Sequence, residues 1–228
     1  MLSFASKIVL SNGNNIKRRS STANLKHDHL TIKRVGAIAQ RCSDKLYAGD
    51  EDIPIDDIEI LSVVIEEFVD AFHHGKEEKA YFPVTKSKDG YSEDVRKFLI
   101  EHELGRRIAN MLRREIQVLK KSSSSLTTTA TTDSMQQQDR VEMKRRKKEP
   151  VARFLKSYVV FIDDHTGKED IFFDLIERKQ SISNDEDRAL LKHYEACKNE
   201  VGGQVRIEEM MRLIEYLETR DWMKDGGK

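Results

Sequence analysis

An internal near-repeat holds the residues of this 228-residue chain that are best suited to chemistry. Residues 73–78 read HHGKEE and residues 165–170 read HTGKED, so both contain His-x-Gly-Lys-Glu followed by a second acid. A His and a Glu four residues apart lie on one face of a helix, one turn apart, where their nitrogen and oxygen atoms can meet at a metal ion. The repeat therefore predicts two helices that each supply one His and one Glu to a site with a pair of metal ions.

The helical phase predicts which of these side chains face the interior. Four residues before His73 lies the apolar Val69, whereas four residues before His74 lies Asp70. We therefore expect His73 to face the core and His74 to point outward. On the second motif, His165 follows apolar residues in the same way. A buried carboxylate among apolar side chains is unfavourable unless it is paired or binds a cation, and a metal would meet that requirement.

Two further histidines lie on apolar helix faces. His102 follows Phe98 by one turn, and His29 continues the stripe that begins at Leu25, whereas His27 does not. A single such His is more often an ordinary core side chain, but four helices that each place one inward favour a metal site. The residues that this phase selects as ligands are His29, His73, Glu77, His102, His165 and Glu169.

Four long amphipathic helices must position these ligands. The apolar spacing predicts them at about 23–45, 55–82, 92–119 and 150–178, with Pro83 ending the second. Two shorter helices are predicted at about 184–199 and 206–222, the first opened by a capping box from Ser183 to Glu186. We therefore predict an all-α fold, an up-and-down four-helix bundle with two additional C-terminal helices.

Glycines recur at the same position of both motifs, at 75 and 167. Glycine inside a helix lowers stability by about 1 kcal/mol relative to alanine. Ordinary tolerance would explain one of them. Their equivalent positions favour a close approach by a neighbouring element at each.

Composition limits the class of protein. The chain has 40 basic and 40 acidic residues, and this zero net charge argues against a general nucleic-acid binder. Its 3 prolines and few aromatic residues favour helical packing over a β-rich fold. The 2 cysteines form no disulfide framework or CxxC site, so we expect a reducing, cytoplasmic location. No apolar run has the length of a membrane span.

The domain organisation follows from two polar stretches. Residues 1–22 are predicted to be a disordered basic tail, although a transit peptide has a similar composition. Residues 23–180 are predicted to form the bundle, which a disordered insertion at 121–149 interrupts. The basic cluster in that insertion is either a solvated charge run or a contact for nucleic acid or an acidic partner. Residues 181–228 are predicted to be a helical extension packed on the bundle.

At these motifs the chain resembles the hemerythrin-like family, also called HHE cation-binding domains. The segments that carry the resemblance are DHLTIKRV (28–35), FHHGKEEKAYFP (72–83), EHELGRR (101–107) and DHTGKED (164–170). The resemblance implies a four-helix bundle that holds two non-haem iron ions with a bridging oxo or hydroxo group. It implies the same six ligands, with the glutamates as bridges. The ligand set alone also suits manganese or zinc.

One departure from the family concerns the third helix. Oxygen-carrying hemerythrins have a His-x-x-x-His pair there, and this chain has Phe98 four residues before His102. This leaves one imidazole fewer than reversible oxygen carriage uses. The acids that follow the two motifs, Glu78 and Asp170, are either reserve ligands or groups that support the ligands.

The resemblance implies a protein that binds or senses O₂, NO, peroxide or iron. Two alternatives share the same residues. One is a di-iron oxidoreductase that reduces peroxide or NO. The other is an interaction module, in which a structural metal stabilises the bundle and the basic tail or loop binds a protein partner.

Overall fold

The structure is a computed structural model that describes residues 20–49, 53–88, 90–126 and 137–224, without the side chains of 122–145 and 147. The described residues form helices joined by short turns, and no strand occurs among them. The all-α prediction is therefore confirmed. No helix among these residues combines the length and apolarity that crossing a membrane requires. Residues 1–19 of the predicted tail and 127–136 of the predicted insertion lie outside the described residues.

Four long helical rods and two shorter helices make up the described chain. The second rod, 55–86, is continuous but changes between α- and π-helical geometry. The elements in chain order are α1 (Ser21–Ala48), the second rod with α2 (Ile55–Val64), π-helical Ile65–His74, π-helical Glu77–Tyr81 and α3 (Phe82–Lys86), then α4 (Ser92–Leu126), α5 (Gln137–Arg178), α6 (Asn184–Glu200), α7 (Gly203–Glu218) and a 3₁₀ turn (Asp221–Met223).

Local sequence explains several helix boundaries. Ser20 caps α1 by accepting a hydrogen bond from the Ala23 amide, and the predicted capping box of Ser183 and Glu186 opens α6. Pro83 does not end the second rod, contrary to the sequence prediction. It lies in the first turn of α3, directly after a π-helical segment, where a missing amide hydrogen costs little.

Helical structure enters both ends of the segment predicted as a disordered insertion. Helix α4 continues to Leu126, and α5 begins at Gln137 with Pro150 inside it. The rods on either side of the insertion are therefore longer than the predicted 92–119 and 150–178. The predicted domain division and the disorder within it stay predictions.

The apolar core consists of two clusters with a polar layer between them. Ile32 of α1, Val69 of the second rod, Ala109 of α4 and Ile162 of α5 belong to the first cluster. Leu25, Tyr81, Phe98 and Phe172 of the same four rods belong to the second. Each rod therefore passes from one cluster to the other, and consecutive rods do so in opposite order. The predicted ligands lie where the rods cross between clusters.

The C-terminal helices cover both clusters. Met210 and Ile214 of α7 are buried in the first, and Leu190 and Tyr194 of α6 are buried in the second. Asp187 of α6 accepts hydrogen bonds from the Ser21 amide and hydroxyl at 2.7 and 2.6 Å. Helix α6 is thus joined to the first turn of α1.

Candidate metal centre

The π-helical geometry of the second rod changes the predicted register of its histidines. In an α-helix the residue one turn back is four positions away, but in a π-helix the hydrogen bond spans five. The Gly75 amide bonds the Asp70 carbonyl in this way. One π-helical turn before His74 lies Val69, which is buried in the core. His74 therefore points inward together with His73, and the prediction that it faces outward was wrong.

Five histidines and two glutamates converge in the polar layer, and none is more than 3% exposed. They form two groups, within each of which the nitrogen and oxygen atoms lie within 4.8 Å of one another. One group is His74, His102 and His165, and the other is His29, His73, Glu77 and Glu169. All six predicted ligands thus meet at one place, and His74 joins them. The remaining histidines, His27 and His193, are exposed.

The two glutamates span the gap between the groups. The Glu77 oxygens lie 3.4 Å from His73 Nε2 and 3.4 Å from His102 Nε2. The Glu169 oxygens lie 3.5 Å from His29 Nε2 and 3.4 Å from His102 Nε2. Glu77 therefore directs one oxygen to each group. Glu169 Oε2 lies 3.2 Å from His165 Nε2 as well, so this oxygen contacts histidines of both groups. Both carboxylates thus lie between the two groups of histidines.

A closed ring of hydrogen bonds joins the four rods around this centre. Each rod carries an acid that directly neighbours a predicted ligand in sequence. This acid accepts a hydrogen bond from the Nδ1 of a histidine on the following rod, and the acid of the fourth rod accepts one from the histidine of the first. The pairs are Asp28 with His73 at 3.3 Å, Glu78 with His102 at 2.7 Å, Glu101 with His165 at 2.8 Å and Asp170 with His29 at 2.7 Å. These bonds place the proton on Nδ1 and direct the Nε2 lone pair inward. Glu78 and Asp170 therefore act here as partners of ligands.

Each carboxylate of the ring is also held by a cation. In each case the cation lies three or four residues after the histidine that bonds the same carboxylate, on the same rod as that histidine. Each histidine and its cation therefore clamp one carboxylate between them. The clamping cations are Lys33 on Asp170, Lys76 on Asp28, Arg106 on Glu78 and Lys168 on Glu101. Arg106 also bonds Asp70, which accepts a hydrogen bond from His74 Nδ1 at 3.5 Å. Asp28, Asp70 and Glu101 were not predicted from the sequence, although each of the four ring acids directly neighbours a predicted ligand.

Burial sets the protonation of the inward groups. It lowers the pKa of His74 and His165 to about 3, with further lowering by the charge of a neighbouring imidazole. Burial likewise holds the pKa of His73 and His102 well below the ordinary value, and it raises the pKa of Glu77 well above it. These four imidazoles are therefore neutral over the physiological range.

The inward atoms fit a metal better than they fit one another. Both oxygens of Glu77 and Glu169 have no hydrogen-bond partner, and neither does the Nε2 of His74, His102 or His165. Each such buried atom costs about 1–3 kcal/mol if nothing binds it. His29 Nε2 lies 3.1 Å from His73 Nε2, and two lone pairs at that separation repel unless a cation or proton lies between them. Imidazole and carboxylate donors suit iron, manganese and zinc.

Aromatic rings cover the imidazoles, and one glycine makes room for such a ring. Phe161 stacks on His165 with ring centroids 5.4 Å apart. A Cβ added at Gly105 of α4 would lie 2.5 Å from the Phe161 ring, whereas nothing lies within 4 Å of one at Gly75 or Gly167. No neighbouring element therefore occupies the space of the missing Cβ at Gly75 or Gly167, contrary to the prediction, and the close approach that requires a glycine occurs at Gly105.

This difference gives a test with a matched control. We expect Gly105→Ala to lower the free energy of unfolding by about 1–3 kcal/mol, because the new methyl group displaces Phe161. The exposed Gly167→Ala should raise it by up to about 1 kcal/mol through helix propensity alone. Urea unfolding of both variants measures the difference. Equal effects of the two substitutions would contradict the proposed packing of Phe161.

The comparison with known families agrees with this geometry. The model of the hemerythrin HHE cation binding domain matches residues 20–132. The match contains His29, His73, Glu77 and His102, whereas His165 and Glu169 lie on α5. Comparisons with curated proteins and with solved structures gave no match. The resemblance seen in the motifs is therefore confirmed, and the chain carries a hemerythrin HHE cation binding domain.

Proposed function

We propose that this protein is a non-haem di-iron protein that binds or senses O₂, NO, peroxide or iron itself. The observation that carries the proposal is the convergence of seven buried donors, of which both glutamates and three histidines present atoms without a hydrogen-bond partner. The choice of iron rests on the family, since the donors also accept manganese or zinc. A cytoplasmic location remains part of the proposal.

Some residues of the centre would bind the metals, and others orient the side chains that bind them. His74, His102 and His165 would hold one metal, His29 and His73 the other, and Glu77 and Glu169 both. The metals, when bound, supply an open coordination position for a small ligand and the capacity to exchange electrons. The ring carboxylates keep each proton at Nδ1 and fix the plane of each imidazole. His74 would replace the imidazole that the third helix lacks at Phe98.

The arrangement of the rods supports an up-and-down four-helix bundle as part of the proposal. Consecutive rods meet the two apolar clusters in opposite order. Rods that alternate in this way run antiparallel to their neighbours in sequence, which is the connection pattern of such bundles. Each rod then contributes its ligands at the same level along the bundle axis, between the two apolar clusters.

The surroundings of the centre favour a small ligand. Phe173 stacks on His29 and Phe82 stacks on His102, each with ring centroids 5.6 Å apart. With Phe161 on His165, apolar rings lie against imidazoles of three rods. Such a wall excludes large polar substrates and admits small uncharged molecules such as O₂ and NO.

Anaerobic titration of the iron-loaded protein with NO, and separately with peroxide, tests the function. We expect absorption changes that saturate at a fixed ratio of ligand to protein, and a His165→Ala variant should lose them. Sustained consumption of NO or peroxide would replace this proposal with the oxidoreductase alternative. Iron that raises thermal stability without any response to either ligand would favour the structural-metal alternative.

The stabilisation by metal should increase with pH. With metal bound the ligands carry no proton at the coordinating atoms, whereas without it burial keeps the pKa of Glu77 and Glu169 well above the ordinary value. Lowering the pH from 8 to 5 therefore adds protons to the metal-free form and favours it over the metal-bound form. Unfolding also exposes His74, whose pKa rises from about 3 towards its ordinary value, so acid favours the unfolded chain too.

The measurement is the difference in Tm between metal-loaded and metal-free protein at the two pH values. We expect the larger difference at pH 8. A difference that does not change with pH would mean that the buried carboxyls and imidazoles are not the metal ligands.

A further inference from the structure

The four clamping cations differ in burial. The side chains of Lys33, Lys168 and Arg106 are 52%, 47% and 30% exposed, whereas that of Lys76 is 2% exposed. Solvent and salt weaken the ion pairs of the exposed cations, but they do not reach the pair of Lys76 with Asp28. The clamp on His73, formed by Lys76 and Asp28, is therefore the one that depends on the exclusion of water, and we call the side chains that exclude it the seal.

The aromatic cover over Lys76 comes from Phe72 of its own rod and from Tyr194 of helix α6, which lies outside the range that the family model matches. The Lys76 ammonium lies 4.3 Å from the centre of the Phe72 ring and 5.2 Å from that of Tyr194. It donates hydrogen bonds to Asp28 and, at 2.8 Å, to Asn24. The aromatic faces attract the cation where water would otherwise solvate it.

Helix α6 contacts the second rod on both sides of this seal. The Cys197 thiol donates to the Gly75 carbonyl at 3.6 Å, and Lys79 forms an ion pair with Glu200. The Tyr194 hydroxyl, in contrast, has no hydrogen-bond partner. The aromatic ring of Tyr194, rather than its hydroxyl, is therefore what serves the clamp.

We propose that α6 is a working part of the metal centre: Tyr194 holds Lys76 on Asp28, Asp28 holds His73, and metal occupancy and the docking of α6 therefore stabilise each other. Lys76 and Tyr194 are positioning residues that act on His73 through Asp28. Coupling of this kind is reciprocal, so α6 that is held in place favours metal and bound metal favours docked α6. The inference rests on the proposed metal site and gives the C-terminal extension a role in reporting metal occupancy.

The test measures both directions of the coupling in the full-length protein. Anaerobic Fe(II) titration gives the affinity of each binding step, and amide hydrogen exchange with and without Fe(II) gives the protection of α6. In the wild type we expect metal to slow exchange in α6. Lys76→Met and Tyr194→Ala should weaken one of the two binding steps by about tenfold or more and should remove the metal-dependent protection of α6.

Two control variants separate this role from general stability. Tyr194→Phe keeps the ring and should behave as the wild type in both measurements. Lys168→Met removes an exposed cation from the equivalent clamp and should change either binding step by less than Lys76→Met does. If Tyr194→Ala does not fold, Tyr194→Leu preserves the bulk without the aromatic face and should show the same losses.

The outcomes distinguish failure of this inference from failure of the proposed function. Wild-type protein that binds no Fe(II) overturns the metal site itself. Wild-type protein that binds two Fe(II) ions, with exchange in α6 unaffected by metal or with Tyr194→Ala binding as tightly as Tyr194→Phe, overturns only the coupling.

Discussion

Glu77→Gln should remove tight metal binding and, in the same protein, make the metal-free form more stable. Both Glu77 oxygens are buried without a hydrogen-bond partner, and Glu169, the other carboxylate of the centre, is buried beside it. Without metal, an ionised carboxylate at this position is strongly disfavoured, and a neutral amide of the same shape relieves that cost. With metal, the amide lacks the negative charge that a bridge between two cations requires.

We expect the metal affinity to fall by more than about 100-fold, because substitution of residues that only hydrogen-bond to a metal ligand already lowers affinity by up to about 100-fold. The free energy of unfolding of the metal-free protein should rise by on the order of 1 kcal/mol or more at pH 8, where ionisation is most favoured. Isothermal titration with Fe(II) and urea unfolding measure the two effects. The exposed Glu103→Gln is the matched control and should change neither.

The opposite signs of the two effects make this test specific. A glutamate that served the fold through its own interactions would lower stability when replaced. A less stable metal-free Glu77→Gln protein, or one that still binds two metal ions as the wild type does, would therefore exclude Glu77 as a bridging ligand.

His74→Ala should reduce the number of tightly bound metal ions from two to one. His74 stacks on His102 with ring centroids 3.9 Å apart, and its Nε2 lies without a partner in the group with His102 and His165. Loss of one of three imidazoles weakens this half of the centre, whereas His29 and His73 remain in the other half. We expect the affinity for the metal in this half to fall by about 100-fold or more, which is a larger loss than substitution of a residue that only hydrogen-bonds to a ligand causes.

Metal analysis after dialysis against a weak chelator, together with Fe(II) titration, measures this stoichiometry. The exposed His193→Ala is the control and should retain both ions. A regular α-helical register would place His74 outside the site and make His74→Ala behave as His193→Ala does. That result would contradict the π-helical register of the second rod.

The sequence predicted most of the centre because its signal is periodic. The four rods, the choice of His29 over His27 and the convergence of the six predicted residues all follow from counting apolar positions in steps of three and four. His74 escaped because i→i+5 hydrogen bonding adds a residue to each turn, and its sequence neighbours carry no mark of that change. The same departure from α-helical geometry precedes Pro83 and lets the rod continue through it.

The ring of carboxylates escaped for a different reason. Asp28 neighbours His29 in sequence but bonds His73 on the next rod, and Glu101 neighbours His102 but bonds His165. A pattern within one helix reports which face a residue occupies, whereas these bonds depend on how two helices are placed against each other. The seal of Tyr194 on Lys76 has the same origin, since it joins residues more than a hundred positions apart.

Anomalous diffraction at the iron edge, from crystals of the protein loaded anaerobically with Fe(II), would locate the metal ions and their ligands directly. We expect two peaks inside the polar layer. One should lie at bonding distance from the Nε2 atoms of His74, His102 and His165, and the other from those of His29 and His73, with Glu77 and Glu169 between the peaks. A single peak, or peaks only at exposed residues while the seven side chains keep their buried positions, would contradict a two-metal centre.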